Sequence, residues 1–414
     1  MIKYKKELNP AQWEAVSAIH GPVLVIAGAG SGKTRTIVYR LAHLVDQGAE
    51  PESILLLTFT RKAAHEMLNR AEELLGQGMS RTMGGTFHSL AYAMLRRFSG
   101  ASGISEGFTV MDRPDAESVI RQVRDEFGLG KGERSFPKKR TVIELISKSK
   151  NKETPLPDLL QKEACHLLPF ADDIQKISVK YAEFKAAHGL LDYDDLLFDF
   201  ERLLTGNEAA RDFVRFKYRF VMVDEYQDTN LVQARLVKLL SGEEQNVMVV
   251  GDDAQSIYAF RGANVYNILN FPDMFPQAKL IRLEQNYRST QPILDLANRV
   301  LEQAEDRFPK NLFTTRANGT RPRLFRTHSD KSQANAVLTR IRELSRTYPL
   351  SEIAVLFRAG YHSYPLEILL NKLGVKFQKY GGVKFSEAAH VKDALAYLRL
   401  LQNPADLPSW QRVL

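Results

Sequence analysis

A single cysteine, Cys165, stands in 414 residues. No intrachain disulfide can form, which excludes the bridged framework of small secreted domains. No apolar run approaches the roughly eighteen residues that a membrane helix requires. The opening MIKYKKELNP lacks the apolar core of a signal peptide. Neither an internal repeat of solenoid period nor a low-complexity linker is visible. These absences point to a cytoplasmic chain with ordinary packed cores.

What is present agrees. The length suits two or three domains. A hydrophobic share of 44% and a charged share of 26% are those of a soluble globular protein. The formal charge of +8 and pI of about 9.3 suit a polyanionic partner, though a basic balance alone selects no ligand. Its distribution says more: between Lys131 and Lys152 eight basic residues face only Glu133 and Glu144. That run reads either as a solvated helical face or as a surface for duplex DNA.

The pattern along the chain is α/β. Val23–Ala27 (VLVIA) is a short apolar run ending at glycines, as a buried parallel strand does. Ile37, Val38, Leu41, Leu44 and Val45 then recur at helical spacing, a second strand follows at Ile54–Thr58, and a helix begins at Arg61. From about Leu90 to Leu204 the sequence reads as helices, one of them opened by Asp112 with Pro114 in its first turn. Strands resume at Phe220–Val223 and Val247–Val250. Lys279–Leu283 is expected to open a second α/β unit, continued by strands at 323–326, 353–357 and 375–380.

Ala27-Gly28-Ala29-Gly30-Ser31-Gly32-Lys33-Thr34 is a Walker A loop, A-x-x-x-x-G-K-T, between a strand and a helix. Gly28 and Gly30 let the backbone curl so that its N–H groups cradle phosphates at the helix N-terminus. Lys33 would reach the β- and γ-phosphates of ATP, and Thr34 would ligate Mg²⁺. The run Val221-Met222-Val223-Asp224-Glu225 ends an apolar strand in two carboxylates at the edge where α/β ligand sites lie. Asp224 would hold Mg²⁺, and Glu225 would polarise an attacking water. A small-molecule kinase needs no such base, and the guanine-reading Asn-Lys-x-Asp of GTPases is absent.

With these motifs placed, the chain resembles the UvrD/Rep family of superfamily 1 DNA helicases from Leu8 to about Leu401. The resemblance implies a RecA-like, parallel-sheet P-loop motor domain (1–90 and 205–278) with a helical insertion (91–204). It also implies part of a second RecA-like domain (279–400) and the approach to an accessory domain (401–414). Leu8-Asn9-x-x-Gln12 is similar to the adenine-recognising element, with Arg35 beside Gln12. Thr58-Phe59-Thr60-Arg61 and Gly85-Thr86-Phe87-His88-Ser89 are similar to the single-strand-binding motifs; there Thr58, Phe59, Thr60, Arg61, Thr86 and His88 would meet DNA, with Phe87 in the core. Gly251–Gly262 resembles the motif coupling nucleotide to DNA, in which Gln255 would sense the γ-phosphate and Tyr258 and Phe260 would stack on bases. Leu283–Ser289 is similar to the first motif of the second motor domain, where Tyr287 would stack on adenine and Arg288 would act as an arginine finger on domain closure. Gly381–Phe385 continues that domain's pattern.

The resemblance therefore implies a DNA-stimulated ATPase and helicase or translocase, 3′→5′ in direction, of DNA repair or replication restart. Its partners would be single-stranded DNA and single/double-strand junctions. The family's last two motifs do not occur before Leu414, so the chain reads as an N-terminal portion expected to bind Mg·ATP but to turn it over weakly. Two alternatives stay open: the helicase part of a recombination helicase–nuclease, and an ATP-gated DNA-binding module without productive turnover.

Overall fold

The computed structural model describes residues 2–76, 79, 81–104, 107–129, 136–317, 319–381, 389–402 and 413. Its strands are β1 (Val23–Ala27), β2 (Ile54–Leu57), β3 (Met83–Gly85), β4 (Thr109–Val110), β5 (Leu190–Leu191), β6 (Phe220–Val223), β7 (Val247–Gly251) and β8 (Lys279–Leu283). Six of them form one sheet in the order β3-β2-β6-β7-β1-β8, every neighbouring pair parallel. Among the described residues, β4 and β5 pair only with each other.

The strands are apolar at nearly every position because both faces of the sheet are covered. Leu24, Ile26, Leu55, Leu57, Val221, Val223, Val247 and Val249 face one core, shared with the helices Phe87–Arg97, Tyr193–Gly206 and Leu231–Leu240. Val23, Val25, Ala27, Ile54, Leu56, Met222, Met248 and Val250 alternate with them into a second core under Lys33–Asp46 and Arg61–Leu75. This is the parallel α/β architecture expected of a RecA-like P-loop domain.

Lys279–Leu283 does not open a second unit. β8 lies beside β1, from Val23 opposite Lys279 to Ala27 opposite Leu283, and completes the first sheet. The edge of β1 supplies its backbone partners, and Ile281 and Leu283 fill the second core. The first compact unit accordingly runs to Pro322 and the second from Arg323.

The helical insertion is also narrower than 91–204. Leu90, Ala91, Met94 and Leu95, together with Leu196, Leu197, Phe200, Leu203 and Leu204, pack against the sheet. The insertion's own core gathers Met111 to Tyr181 from the helices Arg113–Glu126, Lys139–Asn151, Leu156–Glu163 and Ala171–Ala187. Asp112 caps the first of these by accepting from Asp115 N, with proline in the first turn, as its sequence signals.

The second unit holds a small core of Ala334, Leu338 and Ile341 from Asp330–Leu344 against Leu366 and Leu370 from Tyr364–Lys372. Strands expected at 323–326, 353–357 and 375–380 are not formed among the described residues. Leu324, Leu356 and Tyr380 are 83%, 94% and 83% exposed. Alternation marks residues that want cover, but a strand exists only where a neighbour completes its ladder, and no backbone bonds join these segments. Residues 382–385, 403–412, Lys131 and Arg134 lie outside the described residues. Among those described, no helix is long and apolar enough to cross a membrane.

Candidate nucleotide and nucleic-acid sites

The phosphate loop leaves the carboxyl end of β1 and closes on itself. Ser31 N and Oγ donate to Gly28 O at 3.1 and 2.7 Å. Gly30 and Gly32 take φ of +77° and +87°, the left-handed region where a Cβ is strained. Close packing restricts them further: a Cβ on Gly32 would fall 2.6 Å from Gln12 Nε2, and one on Gly30 would fall 2.8 Å from Arg288 Cβ. Lys33 begins the helix that follows, with Thr34 second in its first turn.

Lys33 reaches across to β6, where its Nζ pairs with Glu225 Oε2 at 2.8 Å. Gln227 Nε2 donates to the same oxygen at 2.8 Å. Glu225 sits at φ +50°, rare for a residue with a side chain and costing about 1–3 kcal/mol. The strand-to-loop turn thus holds this carboxylate in an orientation that relaxed backbone would not give. Beside it, Asp224 Oδ1 is buried without a hydrogen-bond partner. Burial, then the charge of Glu225, pushes the Asp224 carboxyl up to about 6. Burial and Glu225 likewise raise Asp228 to about 6.

An orphaned, buried carboxylate oxygen beside a lysine is what a hard cation and its phosphate ligands would satisfy. Among the described residues no cluster of three metal-ligating side chains exists. Mg²⁺ takes one or two carboxylates and completes its shell with phosphates and water. Asp224 fits that role by its orphaned oxygen, and Thr34 stands in the first turn of the helix after the loop.

A cleft of about 580 Å³ beside the loop is lined by Glu7, Gln12, Gly30, Gly32, Arg35, Tyr287 and Arg288. Asn9 caps the helix Pro10–Ser17 in a reciprocal box with Gln12. Gln12 is buried; its Nε2 donates to Ser31 O at 3.0 Å and its Oε1 accepts from Asn9 N at 3.2 Å. It braces the loop as well as facing the cleft. Arg35 donates to Glu7 O at 2.8 Å, and Tyr287 OH accepts from Asn9 Nδ2 at 2.9 Å.

Arg288 does not arrive from a separate body, contrary to the expectation of an arginine delivered on closure. It follows β8 within the first unit, its neighbour Tyr287 donating N–H to Gly30 O at 2.9 Å. Asn286, which the sequence did not single out, fixes this arrangement. Its Nδ2 donates to Ala29 O at 2.5 Å, while Oδ1 accepts from Arg288 N and Ser289 N at 2.8 and 2.6 Å.

The expected DNA motifs converge on the carboxyl ends of β2, β3 and β7. Thr58 is buried, its Oγ1 donating to Thr60 O at 2.7 Å. Thr60 and Thr86 cap the helices Arg61–Leu75 and Phe87–Arg97, and Arg61 Nε donates to Ser89 Oγ at 2.9 Å. Phe59 stacks on Tyr258 at 5.4 Å and 24°, and Tyr258 meets Phe260 at 6.0 Å. Phe59 and Phe260 are 51% and 64% exposed, so this aromatic row lies at the surface, whereas Phe87 is buried. His88 lies edge-on to Tyr193. Burial lowers His88 to about 4, so near neutrality it offers a hydrogen bond and no charge. A cavity of about 450 Å³ joins both sets of residues, lined by Phe59, Arg61, Thr86, His88, Asp224 and Glu225 among others.

Two family models match the sequence in order. Residues 8–276 match the UvrD/REP helicase N-terminal domain, and residues 281–414 match the UvrD-like helicase C-terminal domain. The chain belongs to the UvrD/REP helicase family. Its relatives include proteins named ATP-dependent DNA helicase PcrA. That of Bacillus subtilis (strain 168) is 40% identical over 98% of this chain and 54% of its own length. That of Staphylococcus epidermidis is 38% identical over 99% and 56%, and that of Staphylococcus aureus 37% over 98% and 55%. The chain spans about half the length of these curated relatives.

Gln255, expected to sense the γ-phosphate, donates Nε2 to Asp252 Oδ2 at 2.6 Å. The Asp252 backbone N–H in turn donates to Gln227 Oε1 at 2.9 Å. Gln227 therefore joins Glu225 to the Gln255 loop, a link that no local pattern announces. The basic run behaves differently from its sequence reading. Lys148 and Lys152 pair with Glu163, Lys150 with Asp195, Lys139 with Glu117 and Arg140 with Glu144. Most of the described cations of the run therefore have a carboxylate partner, either within the insertion or, for Lys150, on the helix Tyr193–Gly206.

Proposed function

We propose that this chain is the ATP-binding and DNA-gripping part of a DNA helicase or translocase. It acts on single-stranded DNA and strand junctions in cytoplasmic DNA repair or replication restart. The observation that carries the reading is the shared cavity: Asp224 and Glu225 open onto the same space as Phe59, Arg61, Thr86 and His88. A base stacked in the aromatic row lies within one compact unit of the group that would activate water.

In this reading adenine lies against Tyr287 in the cleft with Gln12 and Arg35, and the P-loop backbone takes the phosphates. Lys33 exchanges its Glu225 partner for phosphate oxygens, which leaves Glu225 to accept the proton of the attacking water. Arg288 faces the charge that develops on the γ-phosphate, and Gln255 reports it to Tyr258 and Phe260. Mg²⁺ held by Asp224 and Thr34 would spread the phosphate charge. Aromatic stacking grips any base, worth about 1–3 kcal/mol each, and so holds a strand without reading its sequence.

The test is ATP hydrolysis with and without single-stranded DNA, alongside Glu225→Gln. Stimulation of a weak basal turnover by DNA is expected, and the variant should lose most of that turnover while still binding ATP. Hydrolysis indifferent to both DNA and the substitution would sink the reading.

A further inference from the structure

The segment Phe308–Phe313 follows the helix Gln291–Leu301 and matches none of the motifs read from the sequence, yet it touches three parts of the site. Lys310 is almost fully buried, with 3% of its side chain exposed, between two equally buried carboxylates. Its Nζ pairs with Asp252 Oδ1 and, at 2.6 Å, with Asp253 Oδ1. Phe308 N donates to Asp253 Oδ2 at 3.2 Å. Asp252 is also the carboxylate that holds Gln255.

Two residues further on, Leu312 is buried over the phosphate loop, so close that a Cβ on Gly28 would fall 2.5 Å from its Cδ2. Next to it, Phe313 O accepts from Asn286 N at 2.7 Å, and Phe313 N donates to Glu284 O at 3.1 Å. Asn286 in turn fixes Ala29 and Arg288. One extended segment thus grips the Gln255 loop at one end and the phosphate loop with its arginine at the other.

A buried ammonium between two carboxylates is a poor stability device, because desolvation offsets most of the attraction. Its value is positional. Remove the cation and two adjacent buried anions repel, so the loop carrying Gln255 must move. We infer that Phe308–Phe313 is a strap setting the distance between the Gln255 loop and the phosphate loop, with Lys310 and Leu312 as its positioning residues. The inference deepens the ATPase reading and rests on it only for the consequence in turnover.

The experiment perturbs each end and reads the other. Lys310→Met and Leu312→Ala are compared with the parent chain by amide hydrogen exchange, ATP binding and DNA-stimulated turnover. Each variant should speed exchange at least tenfold both at 28–31 and at 252–258, with β6 unchanged. ATP affinity should stay within about threefold while turnover falls at least tenfold. Adding Asp253→Asn to Lys310→Met, which removes one of the two anions, should recover part of both losses. Lys310→Arg should retain most function and keeps the test alive if the methionine variant does not fold. Exchange that rises only at the altered end, or evenly across the sheet, would overturn the strap. If the parent itself shows no DNA-stimulated hydrolysis, the proposed function fails while the exchange data still decide the strap.

Discussion

Asp224→Asn should stabilise the protein, and by an amount that depends on pH. The Asp224 carboxyl titrates near 3.8 as an ordinary side chain and at about 6 in the fold, chiefly because it is buried. A raised carboxyl value means the folded state holds the proton more tightly than the unfolded state does. The penalty is therefore small below pH 4, grows between pH 4 and 6, and is full above that range. Two units correspond to about 3 kcal/mol at pH 7.5 and roughly half of that at pH 5. Asparagine keeps the shape and removes the charge, so constant effects of the substitution cancel when the two pH values are compared. Urea denaturation of both proteins at each pH is the assay. The stability difference between variant and parent should be about 1.5 kcal/mol more favourable to the variant at pH 7.5 than at pH 5. The variant should also lose Mg²⁺-dependent nucleotide affinity, since the orphaned oxygen is the one a cation would satisfy. A difference equal at both pH values, or one larger at pH 5, would refute the claim that a buried, uncompensated carboxylate sits here.

The other expectations are simpler. Phe59→Ala removes one face of the aromatic row, so single-strand affinity measured by fluorescence anisotropy should fall by about 1–3 kcal/mol, with ATP affinity unchanged. Asn286→Ala strands Ala29 O and two backbone N–H groups; it should cost about 2–4 kcal/mol in denaturation and weaken nucleotide binding, because Arg288 loses its anchor.

The parallel sheet was legible because its strands are short, apolar on both faces and bounded by glycine or carboxylate. The phosphate loop and Asp224-Glu225 were legible because their chemistry needs fixed spacing. Three things were not. β8 reads the same whether it begins a sheet or completes one, since the choice depends on the edge of β1, some 250 residues away in sequence. Asn286, Gln227 and Lys310 act through partners distant in the chain, and a lone polar residue carries no period. The run from Lys131 advertised a cationic surface, yet most of its described charges meet Glu117, Glu144, Glu163 and Asp195, three of them outside the run. Net charge counts residues, while the field depends on which anions fold against them.

The central claim is that nucleotide and single-stranded DNA bind to one coupled unit. Linkage makes the most direct test the affinity for a short oligonucleotide, measured with and without a non-hydrolysable ATP analogue and Mg²⁺. Coupling predicts a change of at least about fivefold, matched by an equal change in analogue affinity when DNA is added, and abolished by Lys33→Ala. Oligonucleotide affinity indifferent to saturating nucleotide would contradict the account, leaving two sites that share a cavity but no free energy.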